Sequence, residues 1–129
     1  MSRSLSGLHL LVVEDEAMVA LMVEDILADL GCTAVEVAGT VAQGLAMVEN
    51  PQPPLDAAIL DVNIGGEKVY PVAEALAAKG VPFIFATGYG IGGISEAFSH
   101  VPALAKPYEP HALERLLASA LKRPPGDDA

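Results

Sequence analysis

Four short apolar runs in this chain end on residues that could do chemistry. Residues 9–13 lead into Glu14, Asp15 and Glu16, and residues 57–60 into Asp61. Residues 81–86 lead into Thr87, and residues 102–105 into Lys106 and Pro107. If these runs are parallel strands, their ends share one rim, because ligands of open α/β sheets gather outside the carboxyl ends of the strands. Two carboxylates about 5 Å apart repel by roughly 3 kcal/mol at an effective dielectric of about 20. Acids converging there either take up protons or recruit a divalent cation. All-oxygen ligands with room for water suit Mg²⁺ or Mn²⁺ rather than Zn²⁺. A carboxylate-held metal beside another carboxylate, a hydroxyl and a lysine is suited to phosphoryl transfer. Asp61 ends the central run and is the expected nucleophile, forming an acyl phosphate. Thr87 would hydrogen-bond an oxygen of the transferring group, and Lys106 would neutralise its charge. The backbone carbonyl of Asn63 is a further candidate metal ligand.

The elements that must position these residues alternate. The run at 9–13 is continuous, as expected of a strand buried on both faces. From Glu16 to Leu30 apolar residues recur at three- and four-residue spacing, which predicts a helix, and Gly31 is placed to stop it in a left-handed conformation. A weaker strand is expected at 33–37. Thr40 is a candidate cap for a second helix running to about Glu49, which Pro51, Pro53 and Pro54 end. After the strand at 57–60, Pro71 suits the first turn of a third helix ending near Lys79 and Gly80. Pro82 stands at the entrance of the fourth strand, where a missing N–H costs least. Gly88, Gly90, Gly92 and Gly93 disfavour regular helix, so only a short or irregular fourth helix is expected around 94–99. A short fifth strand and a last helix from Glu109 to Leu121 complete the pattern, and residues 122–129 read as a frayed tail. This βαβαβ rhythm predicts an α/β fold with a doubly wound parallel sheet of five strands and helices on both faces.

The bulk properties narrow the function. A chain of 129 residues, 52% apolar, is expected to form a single domain over 1–129 with its core at about 8–121. With 7 Lys+Arg against 17 Asp+Glu the net charge is −10, which repels a phosphate backbone and argues against nucleic acid as a partner. The first apolar run is too short for a membrane span and ends in three acids, so no membrane association is expected. The single cysteine, Cys32, cannot form an internal disulfide and suits a reducing, cytoplasmic setting.

The motifs Val12-Val13-Glu14-Asp15, Ile59-Leu60-Asp61-Val62-Asn63, Ala86-Thr87-Gly88 and Ala105-Lys106-Pro107 together resemble the four signatures of the CheY-like response-regulator receiver domain. The likeness covers roughly Leu8 to Leu121. It implies a sheet order of 2-1-3-4-5 and a Mg²⁺ (or Mn²⁺) site built on Glu14, Asp15, Asp61 and the Asn63 carbonyl. It also implies Asp61 as phosphoacceptor, Thr87 as switch hydroxyl, Lys106 as phosphate-contacting lysine, and a cis peptide before Pro107. The stretch Pro82-Phe83-Ile84-Phe85-Ala86-Thr87-Gly88-Tyr89-Gly90 is similar to the motif of the FATGUY single-domain regulators of alphaproteobacteria. That likeness implies a histidine kinase of the HWE/HisKA2 type, or a histidine phosphotransfer protein, as phosphodonor, with a monomer as the expected state. Two positions depart from the receiver pattern. Ala103 stands where receivers usually carry a switch aromatic, so Tyr89 is a candidate substitute, and Gly65 stands where many have Pro.

Other classes fit less well. An aspartyl-nucleophile phosphatase needs a second Asp two residues after the first, where Asn63 stands. A flavodoxin-like cofactor binder needs a Ser-, Thr- or Gly-rich first loop, and Glu14-Asp15-Glu16 would repel its phosphate. A receiver that no longer takes up phosphate is opposed by the intact acid set. Glu16 reads mainly as a solvated helix N-terminus. His9, His100 and His111 lack ligand spacing and read as structural or solvated, and Met18, Met22 and Met47 as core fillers. If Val19, Met22, Val23, Ile26 and Leu30 face the sheet, then Ala17, Ala20, Leu21 and Ala28 face outward. That would make Ala17, Ala20 and Leu21 a small-residue docking face for the helical bundle bearing the phosphohistidine.

Overall fold

The computed structural model describes residues 5–49, 54–88, 94–105 and 109–121. Parallel strands β1 (His9–Val13), β2 (Ala34–Ala38), β3 (Ala57–Asp61), β6 (Phe83–Thr87) and β7 (Ala103–Ala105) form one sheet in the order β2-β1-β3-β6-β7. This is the expected 2-1-3-4-5 order of the five sheet strands. Every residue of β1, β3 and β6 is buried, while the edge strands β2 and β7 are mostly half-buried. The three central strands are therefore the ones written as continuous apolar runs.

Alternation along each strand divides the core into two layers. Leu11, Val13, Leu60, Phe83 and Phe85 face α2 (Val41–Glu49) and α3 (Tyr70–Ala78). Leu10, Val12, Ile59, Ile84 and Ala86 face α1 (Ala17–Asp29) and α4 (Pro110–Ala120). Truncating one of the fully buried leucines to Ala costs about 2–5 kcal/mol in such a layer.

The helix ends follow their sequence signals. Gly31 takes φ 100° just past α1. Thr40 Oγ1 accepts from Gln43 N at 3.0 Å, and Gln43 Oε1 accepts from Gly39 N at 2.9 Å, a reciprocal cap at the start of α2. Glu109 caps α4, its carboxylate accepting from Ala112 N at 2.8 Å and His111 N at 3.1 Å. His9 is structural: its ring nitrogens face Glu36 Oε2 at 2.6 Å and the Pro54 carbonyl at 3.1 Å, tying β1 to β2 and to the approach to β3.

Two features differ from the sequence reading, and a third follows it. Between β3 and α3 the chain forms an unforeseen antiparallel hairpin, β4 (Asn63–Ile64) and β5 (Glu67–Lys68). Its turn is Gly65-Gly66, with φ of 58° and 88°, the positive pair a two-residue type I′ connection requires. The short fourth helix expected around 94–99 is there, as a single 3₁₀ turn, Glu96–Phe98. Aromatic packing holds that turn in place. Phe98 stacks on Tyr70 at 5.4 Å and lies edge-on to Phe85 at 5.8 Å, and Ser95 N donates to the Tyr70 hydroxyl at 2.8 Å.

The second difference is the rotation of α1 about its axis. Ala20 is 4% exposed and lies in the buried stripe with Val23 and Leu27, which corrects its placement on the outer face. Met18 and Met22, expected in the core, are 80% and 39% exposed, beside Leu21 at 56%. Every residue from Ala17 to Val23 is apolar, so periodicity could not tell which side meets the sheet. Packing selects the side whose small Ala20 lets the helix lie close to it.

Candidate functional site

The sheet brings the chemistry-bearing residues to one edge. Val13 is level with Leu60 in the β1–β3 pair, and Asp61 with Ala86 in the β3–β6 pair. Glu14 therefore follows β1 beside the end of β3, and Thr87 is the last residue of β6. Asp15, Glu16, Asp61, Asn63, Gly65, Gly66, Lys68 and Gly88 line an open cleft of about 730 Å³ there. Glu14, just after β1, is buried at 2% exposure, its Oε2 accepting from Glu16 N at 3.1 Å. Thr87 is buried at the same edge, and its strand neighbour in register is Ala105. Lys106, Pro107 and Tyr89 lie outside the described residues.

Backbone amides orient the acids. Asp61 Oδ1 accepts from Asn63 N at 3.3 Å. Asp15 Oδ2 accepts from Gly65 N at 2.9 Å, so the hairpin turn braces an acid fifty positions earlier in the chain. Carboxylate oxygens of Glu14, Asp15 and Glu16 lie within 4.8 Å of one another. Glu16, read as a solvated helix start, is both a member of this cluster and a wall of the cleft. The donors are all hard oxygens, and the open cleft has room for water, a set that fits Mg²⁺ or Mn²⁺. Asp61 stands within the same cleft as Asp15 and Glu16, as phosphoryl transfer beside a metal demands.

Lys68 was missed in the sequence because it belongs to an element that was missed. The signal was present, since Gly65-Gly66 between Ile64 and Glu67 is a two-residue hairpin signature. On the hairpin Lys68 pairs with Asn63, and its Nζ donates to Asn63 Oδ1 at 2.7 Å. It is the one cation lining the cleft among the described residues.

Neither a protein-family model nor a curated protein matches the chain. Solved structures do. SdrG from Sphingomonas melonis Fr1 is 47% identical, with a TM-score of 0.78, and the match covers 94% of this chain and 99% of SdrG. The BeF3-activated conformation of SdrG, from Pseudomonas melonis Fr1, matches at 47% identity and a TM-score of 0.75 over 90% of this chain and 98% of that one. The chain belongs to the response-regulator receiver family. The fold is shared more widely. The receiver domain of a Pseudomonas aeruginosa sensor histidine kinase, solved with magnesium in its active-site cleft, is 23% identical at a TM-score of 0.74, over 91% of this chain and 99% of that one. Receivers are signalling domains rather than enzymes acting on a separate substrate. Among the described residues no helix is long and apolar enough to cross a membrane.

Proposed function

We propose that this receiver accepts a phosphoryl group on Asp61 from a phosphohistidine of a sensor kinase or a histidine phosphotransfer protein. One observation carries the reading: Asp61 ends the central strand inside the same cleft as Asp15 and Glu16. The 47% identity to SdrG, known in a BeF3-activated conformation, supports it. A carboxylate oxygen of Asp61 attacks phosphorus. The O–P bond forms as the P–N bond breaks, and its electron pair returns to the imidazole nitrogen of the donor. Glu14, Asp15, Asp61 and the Asn63 carbonyl would hold Mg²⁺ (or Mn²⁺), which when bound spreads the charge of the transferring group. Thr87 donates a hydrogen bond to a phosphoryl oxygen, and Lys106 offsets the charge of another.

The rest of the proposal concerns partners. The receiver is of the FATGUY type, works as a monomer in the cytoplasm, and takes its phosphate from a kinase of the HWE/HisKA2 type or a phosphotransfer protein. It relays the signal by protein contact or serves as a phosphate sink, with Tyr89 as the switch aromatic in place of Ala103. The donor's helical bundle docks on the outer face of α1. That face is revised to Ala17, Met18, Leu21 and Met22, all exposed. The deciding experiment is intact mass after incubation with Mg²⁺ and a small phosphodonor. Wild type gains one phosphoryl group and Asp61→Asn gains none; an adduct that persists in Asp61→Asn refutes the assignment.

A further inference from the structure

Lys68 has no part in the four receiver motifs, yet it lies in the wall of the phosphoacceptor cleft. The hairpin places it there. Asn63 and Lys68 are directly paired across β4 and β5, and both line the cleft with Asp61. An ammonium has donors and no acceptor, so the bond to Lys68 fixes the Asn63 amide with its oxygen toward Nζ. Asn63 in turn donates its backbone N–H to Asp61 Oδ1. Lys68 is thus one residue removed from the nucleophile. It sits on an exposed, flexible stem, with one of its three N–H donors engaged by a neutral partner.

The charge balance gives that position a consequence. Among the described residues the cleft wall carries three carboxylates, Asp15, Glu16 and Asp61, against the single ammonium of Lys68. An incoming phosphodonor is itself an anion, and Asp61 once phosphorylated carries about one more negative charge than its carboxylate. A cation at the wall lowers the cost of both. The same cation opposes a divalent metal held by those acids.

We propose that Lys68 exchanges Asn63 Oδ1 for an oxygen of the phosphoryl group during transfer to Asp61, speeding phosphorylation at some cost in metal affinity. This rests on the phosphoacceptor reading above and adds a positioning cation supplied by the hairpin. In the step itself, with acetyl phosphate as donor, the Asp61–phosphorus bond forms. The donor's P–O bond breaks with its electron pair leaving on acetate, and Lys68 neither gains nor loses a proton.

The test measures two quantities on Lys68→Gln and Lys68→Arg: the rate of phosphoryl-adduct formation with acetyl phosphate, and the Kd for Mg²⁺ in the absence of donor. Lys68→Gln is expected to slow adduct formation roughly three- to tenfold while tightening Mg²⁺ binding by about two- to fivefold. Lys68→Arg keeps the charge and is expected to restore most of both. Were Lys68 only a brace for Asn63, Lys68→Gln would loosen the site and weaken Mg²⁺ binding and phosphorylation together, and that outcome overturns the proposal. So does an unchanged rate in Lys68→Gln, or an Arg variant as slow as the Gln variant. Asp61→Asn run alongside separates the two levels. A wild type that takes up no phosphoryl group defeats the phosphoacceptor reading itself, whereas normal uptake with no effect at Lys68 defeats this inference alone.

Discussion

Asp15 owes its orientation to a backbone N–H at Gly65, and Asp61 owes part of its own to Asn63. At this scale two of the site's carboxylates are held by amides from a single hairpin, and Glu14 by the amide of Glu16. Elsewhere single residues report on their surroundings through their protons. Burial pushes the Cys32 thiol up to about 12, with the nearby Asp56 charge adding to it, so the thiol is not a nucleophile at neutral pH. Glu109 shifts the other way. The hydrogen bonds from Ala112 N and His111 N hold its carboxyl below the usual value of 4.5. A carboxyl group lowered on folding stabilises the native state above its unfolded value, and that contribution is lost as pH falls through the lowered one. The melting temperature of wild type should therefore exceed that of Glu109→Gln at neutral pH. The gap should narrow as the pH falls below about 4.5, which thermal scans across that range will check.

At the scale of elements, α1 separates two roles that its sequence runs together. Its buried stripe and its exposed apolar face are adjacent and equally hydrophobic, so they are told apart only by substitution. Ala20→Leu inserts three heavy atoms between α1 and the sheet and should destabilise by about 1–3 kcal/mol in urea unfolding. Leu21→Glu should leave stability within about 0.5 kcal/mol and still take phosphate from a small donor, while transfer from a phosphorylated histidine partner slows. Equal transfer by Leu21→Glu and wild type would remove the docking face. The 3₁₀ turn at Glu96–Phe98 shows another trade at this scale. Four aromatic rings, those of Tyr70, Phe83, Phe85 and Phe98, pack against one another there. Their contacts depend on residues far apart in the chain, and they add to the turn's own bonds, from Phe98 N to the Ser95 carbonyl at 3.0 Å and from Ser99 N to the Glu96 carbonyl at 3.1 Å.

Over the whole molecule, a net charge of −10 and an acidic cleft at one edge of the sheet would make the proposed divalent cation a folding ligand as well as a cofactor. An ion that binds only the native cleft stabilises by mass action. At roughly a hundredfold excess over its Kd it adds about 2.7 kcal/mol, a rise in melting temperature on the order of 10 °C. Calorimetry with and without Mg²⁺ should show that rise in wild type and a much smaller one in Asp15→Asn. An equal rise in both would place the ion elsewhere.

The alternating elements were legible in the sequence, because central parallel strands buried on both faces must be written as unbroken apolar runs with helical stretches between them, whereas the order of the five strands followed from the resemblance of the four motifs to the receiver family. Glu14, Asp15, Asp61 and Thr87 were legible for a related reason: each stands where such a run stops, and in this topology the stopping points share one edge. What only the tertiary structure decided were quantities that depend on contacts between distant residues. Which side of α1 meets the sheet follows from how closely Ala20 allows it to approach, and the place of the 3₁₀ turn follows from an aromatic cluster drawn from α3, β6 and the turn itself. Lys68 enters the cleft because the Gly65-Gly66 turn folds β5 back onto β4, an arrangement read from backbone geometry rather than from hydrophobic period.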